Sequence, residues 1–233
     1  MGMFLALSGV IGKTHKEVLA SLTNYANSVN GGLQQEDNIN SDNDNCCIVE
    51  EADGNTTIVY PDGYLEWDDS SAFISGELNA VVFSMHIHDG DFWMYKLYSN
   101  GQIVDQFNPI PDYWEDNIGD AEIESWRGNA ATVAKHVSYI NPIDIAYYLV
   151  RWDLDEEEPS KAYPTDVYSK EDWQLVDFMD KLKLPYPLDD NGDSKGLTYK
   201  LWTKQLKLAD EAKSTGSVSA KAADSNKPWW KFW

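Results

Sequence analysis

The chain has 233 residues, 42% hydrophobic and 13% aromatic, with 39 Asp plus Glu against 18 Lys plus Arg and a formal charge of −21. That length holds one large domain or two small ones with a buried core, and ten Trp, thirteen Tyr and seven Phe exclude a wholly disordered chain. So acidic a protein is repelled by phosphates unless it segregates a basic face, so nucleic acid is not an expected partner.

Charge divides the sequence in three: residues 1–115 carry a net −15, residues 116–212 a net −9 and residues 213–233 a net +3. The expected fold class is α+β, with an antiparallel-sheet domain and one N-terminal helix over 1–115, a helical region over 116–212 and a basic aromatic tail over 213–233. Met3 to Ile11 reads as a strand, because no basic residues precede this short apolar run as they would in a secretory signal. Ala6 stands where a myristoylation motif needs a hydroxyl residue. No run approaches the ~20 apolar residues that span a bilayer, so membrane contact is not expected.

Thr14-His15-Lys16-Glu17 matches a capping box, and Val18, Leu22, Tyr25, Ala26 and Val29 follow at helical spacing before Asn30-Gly31-Gly32. Residues 34–45 are polar and read as a loop. Asp53-Gly54 then divides Cys46–Glu51 from Thr56–Tyr60 as a hairpin. The adjacent Cys46 and Cys47 point to opposite faces of a strand, which disfavours a disulfide between them. They read as two buried strand thiols in a reducing cytoplasm.

Asp89-Gly90 and Asn100-Gly101 are hairpin signals that make Ala80 to Phe107 a three-stranded meander. Two-residue turns would set His88 opposite Asp91, His86 opposite Trp93, Tyr98 opposite Ile103 and Lys96 opposite Asp105, the last as an ion pair. Pro109 and Pro111 end the meander. Beyond a boundary near Glu115 to Asp120, a short helix is expected over Ala130 to His136. Another starts at Asn141-Pro142, with Ile143, Ala146, Tyr147 and Val150 as its buried stripe. A third opens at Ser169 with Leu175, Phe178 and Leu182 inward, and a fourth runs from about Leu197 to Ala212.

His86-Ile87-His88-Asp89-Gly90-Asp91 is the one cluster with plausible metal ligands. His86 and His88 share a strand face and the turn returns Asp91, so two imidazoles and a carboxylate could hold zinc or iron with an open position. The competing reading is two histidines on a half-exposed sheet face with Asp91 orienting His88. Gly-x-Ser-x-Gly and Walker-type motifs are absent. Asp189-Asp190-Asn191-Gly192-Asp193 lacks the spacing and late Glu of an EF-hand and reads as a capped turn, and Asp153 to Glu158 reads as a solvated acidic loop. No cofactor is expected.

The tail ends in Lys227-Pro228-Trp229-Trp230-Lys231-Phe232-Trp233. Trp229, Trp230, Phe232 and Trp233 are the candidate partner-binding residues, because large rigid aromatics dominate binding hot spots. They would dock in a groove of another protein, of a second copy, or of their own domain. His86 to Tyr95, Phe107 to Trp114, Trp126 to Ala130 and Asp172 to Met179 together resemble a family of uncharacterised bacterial proteins over about residues 3–187. The resemblance implies a bacterial intracellular setting and carries no activity or site residue.

The expected function is a non-enzymatic protein–protein interaction role, regulatory or inhibitory in the manner of an immunity protein, toward a basic partner or a second copy. Its rivals are a metal-dependent enzyme using His86, His88 and Asp91, and a structural assembly subunit docking through its tail.

Overall fold

In the computed structural model, which describes residues 4–35, 46–90, 92–114, 118–152, 173–189 and 192–204, the capping box forms as expected. The Glu17 amide donates to Thr14 Oγ1 at 3.4 Å and the Thr14 amide donates to the Glu17 carboxylate at 3.0 Å, opening α1 (His15–Ser28). Before it runs β1 (Leu5–Val10), and after it β2 (Gly32–Gln35), so residues 34 and 35 are strand. Asp53 and Gly54 take positive φ between β3 (Cys46–Ala52) and β4 (Asn55–Val59), the hairpin read from the sequence. Next come α2 (Trp67–Leu78), β5 (Val81–His88), β6 (Phe92–Ser99) and β7 (Gln102–Phe107). Then follow α3 (Asp120–Ser125), α4 (Ala130–His136), α5 (Pro142–Ile145) continued by a 3-10 turn, α6 (Trp173–Lys181) and β8 (Leu197–Trp202).

The strands form one antiparallel sheet in the order β2-β8-β3-β4-β1-β5-β6-β7. The fold class is α+β. Residues 197–202, expected in a helix, are the strand β8, which lies between β2 and β3; the sheet therefore crosses the boundary expected near residue 115. Close approach is needed there, since a Cβ on Gly31 would stand 1.9 Å from the Trp202 carbonyl oxygen.

Strand alternation separates two cores. Leu7, Phe83, Met85, Ile87, Trp93, Tyr95 and Leu97 face α4, α5 and α6, where Val133, Ile145, Tyr148, Leu175 and Phe178 pack on them. Val10, Ile58, Val82 and Tyr98 face α1 and α2, meeting Val18, Leu22, Tyr25 and Ile74. Cys47 belongs to this second core and its burial pushes the thiol above its ordinary range, whereas Cys46, on the other face of β3, is only half-buried rather than buried as expected; both cysteines are free thiols.

Register corrects three expectations. His88 pairs with Phe92, His86 with Met94 and Ile87 with Trp93, so the β5–β6 connection is one residue longer than a two-residue turn and His86 and Trp93 lie on opposite faces. Tyr98 does pair with Ile103, but a bulge between Leu97 and Tyr98 then sets Leu97 against Asp105 and Lys96 against Gln106. Asp105 instead accepts from Tyr95 Oη at 2.6 Å, and Lys96 pairs with Asp68 of α2. Around Asn141, whose side chain caps α5 as expected, Ile145 and Tyr148 are buried while Ile143 is 75% exposed and Val150 is exposed. The helix gives way after one turn to a 3-10 turn, which rotates the inward stripe away from the predicted positions.

Candidate functional site

Antiparallel pairing brings the start of β1, the end of β4, the end of β5, the start of β6 and the end of β8 to one edge of the sheet. On the α2 face this edge collects rings. His86 is buried and stacks on Trp67, the first residue of α2, with centroids 4.8 Å apart and planes within 7°. Tyr60, just past β4, stacks on Tyr64 at 4.8 Å and 15°. His88, also buried, lies 6.0 Å from His86 and is bounded by Phe4 at 5.1 Å, Phe92 at 5.6 Å and Trp114 at 4.9 Å.

Between the two stacked pairs opens a cavity of about 180 Å³, bounded by Phe4, Leu5, Ala6 and the loop from Tyr60 to Leu65. Its tyrosine hydroxyls are engaged below the rings. Tyr60 Oη and Ser8 Oγ are 2.7 Å apart, Ser8 Oγ and Ser71 Oγ 2.6 Å, and Tyr64 Oη and Ser70 Oγ 2.6 Å. Burial pushes both phenols above their ordinary range. Burial, reinforced by the nearby His88, pulls His86 down to about 3, so its imidazole is neutral near neutral pH. Three large apolar side chains stay exposed at this end: Phe4 at 48%, Leu65 at 56% and Tyr113 at 39%. The exposed carboxylates of Asp62, which lines the cavity, and of Asp89, beside His88, add negative charge.

A smaller pocket beyond Trp67 is occupied by its own ionic cluster. Ser84 Oγ donates to Asp68 at 2.6 Å, and the Lys96 ammonium pairs with Asp68 and sits 5.7 Å from the centre of the Trp126 ring. These groups satisfy one another and present no polarised nucleophile.

His86 and His88 share a face, as the alternation required, but both are wrapped in rings, and Asp91 lies outside the described residues. Among the described residues no three His, Cys, Asp or Glu side chains converge to hold a metal ion. Trp229, Trp230, Phe232 and Trp233 lie outside the described residues, as do Asp153 to Glu158. Among the described residues no helix is long and apolar enough to cross a membrane. The Asp193 amide donates to Asp189 Oδ1 at 2.9 Å, the capped turn expected there. The cavity-lining Phe4, Tyr60, Tyr64, Leu65 and Trp67 were not among the sequence candidates. The aromatic density of Tyr60-Pro61-Asp62-Gly63-Tyr64-Leu65-Glu66-Trp67 around a turn was the available signal.

Comparison with protein-family models, curated proteins and solved structures finds no match to this chain. The site therefore stands on its own geometry.

Proposed function

We propose that this protein is a non-enzymatic protein–protein interaction protein, regulatory or inhibitory toward a basic partner, which it binds at the ring-walled edge of its sheet. The observation that carries this reading is the exposure of Phe4 and Leu65 at an open cavity whose rim bears Asp62, with Tyr113 exposed nearby against His88. Aromatic and large apolar anchors beside a pocket are the usual composition of binding hot spots, and a polar rim completes such a patch. A formal charge of −21 adds long-range attraction for a basic surface and repulsion of acidic ones. The neutral, ring-stacked His86 supports a binding role, since its imidazole is held by packing rather than set beside a nucleophile.

The test is quantitative affinity capture from the native host with the wild-type chain and a Leu65→Asp/Tyr113→Asp variant, followed by kinetics with the purified partner. A stoichiometric partner lost by the variant, with an association rate that falls as salt rises, is the expected result. Equal capture by both proteins, or an association rate flat across ionic strength, overturns the reading.

A further inference from the structure

The same cavity has an occupant within the chain. We infer that it receives the protein's own C-terminal segment, Lys227-Pro228-Trp229-Trp230-Lys231-Phe232-Trp233, docked in cis. The first support is where the described chain ends. Cys46 pairs with Lys200 and Gly32 with Trp202, which places the end of β8 at the cavity's edge of the sheet. The Thr203 side chain then hydrogen-bonds Glu66, the residue next to Leu65 at the cavity mouth. In the strand order β8-β3-β4-β1, two to three strand spacings, roughly 10–14 Å, separate β8 from the strands that flank the cavity.

Reach and chemistry agree with that placement. Twenty-two residues lie between Lys204 and Lys227. At up to ~3.3 Å each they span several times the required distance. A closed cavity of ~150 Å³ already admits a benzene ring. This one, about 180 Å³ and open, is walled by Tyr64, Trp67 and His86, surfaces on which an indole stacks or sits edge-on. The segment also brings Lys227 and Lys231 to a rim that carries the exposed Asp62, within a tail of four Lys and one Asp attached to an acidic chain. Tethering raises the effective concentration of the segment at its own cavity far above that offered by another molecule at ordinary dilution, which favours docking in cis over docking in trans. The inference does not rest on the proposed function, and its failure leaves that reading intact. Where both hold, the basic partner must displace the tail.

The experiment uses the full chain with fluorotryptophan in place of Trp, read by fluorine NMR and assigned by single Trp→Phe substitutions. In the wild type, the Trp229 and Trp230 resonances should be as broad as those of the folded domain and displaced from those of a synthetic peptide of residues 227–233. Both features should persist on dilution. Trp229→Ala/Trp230→Ala should shift the Trp67 resonance, and Leu65→Glu should return the tail resonances to the free-peptide positions. The Trp93 resonance, on the opposite face of the sheet, should stay unchanged in Leu65→Glu and so reports that the variant is folded. Tail resonances that match the free peptide in the wild type overturn the inference. So does a docked signal that Leu65→Glu leaves unchanged, or one that fades on dilution as a dimer gives way to monomer, which would assign the cavity to a second copy.

Discussion

The two faces of the sheet are built from alternate residues of the same strands, yet they differ in kind. The face toward α4, α5 and α6 is apolar and ring-packed: Tyr95 stacks on Phe178 at 5.7 Å and 11°, and Phe178 also meets Trp93, Phe83 and Tyr148. The face toward α1 and α2 admits Ser8, Ser84, His86, His88 and Lys96, met by Ser70, Ser71 and Asp68 of α2. Buried polar groups of this kind add little net stability even when satisfied, whereas apolar burial dominates it. The second face sets these polar groups beside an apolar core of its own, with Val10, Ile58, Val82 and Tyr98 against Val18, Leu22 and Ile74, and it is on this face that the cavity opens.

The largest test of that contrast is Phe178→Ala. Phe178 is fully buried, so its loss should cost about 3–5 kcal/mol in urea denaturation while leaving partner capture by the folded protein unchanged. Capture that falls with stability would show that the two faces are not independent. Next is Ser8→Ala, which takes a hydrogen-bond partner from Tyr60 Oη and from Ser71 Oγ. A loss of roughly 1–3 kcal/mol is expected, partly recovered when Tyr60→Phe removes the stranded hydroxyl as well. No recovery in the double variant would mean that the network is not the source of the effect.

The smallest effect is a pH slope. His86 has a folded value near 3, below its ordinary one, so the unfolded chain binds the proton first. Its contribution is fully present above the unfolded value and is lost as pH falls toward the folded one. From pH 6 to pH 5 this group should remove about 1 kcal/mol of stability. His86→Phe, which keeps a ring against Trp67, should flatten that part of the profile in denaturation titrations; an unchanged slope would assign the acid sensitivity elsewhere.

Local chemistry was legible and long-range pairing was not. The Thr14–Glu17 box, the Asn141 cap and the Asp53-Gly54 and Asn100-Gly101 turns are each set by a few neighbouring residues, and all of them form. Helix α2 escaped notice because Asp68, Asp69, Ser70 and Ser71 interrupt any apolar period. Its buried Ser70, Ser71 and Ser75 bond to other hydroxyls and to carbonyls instead. Leu197-Thr198-Tyr199-Lys200-Leu201-Trp202, expected to open a helix running to about Ala212, is a strand only through its pairing with β2 and β3. The cavity draws on residues 4–6, 60–67 and 86, which no sequence spacing links.

The seat of β8 between β2 and β3 has a consequence for biogenesis. During synthesis the first strands emerge long before the one that joins them, so one margin of β3 waits without its neighbour until residue 202 has been made. A waiting β-edge invites pairing with other nascent chains, and charged side chains are the common defence. The groups that wait are the amides and carbonyls of Cys46–Val49, which β8 pairs, and the nearest charges on β3 are Glu50 and Glu51, directly beyond that seam.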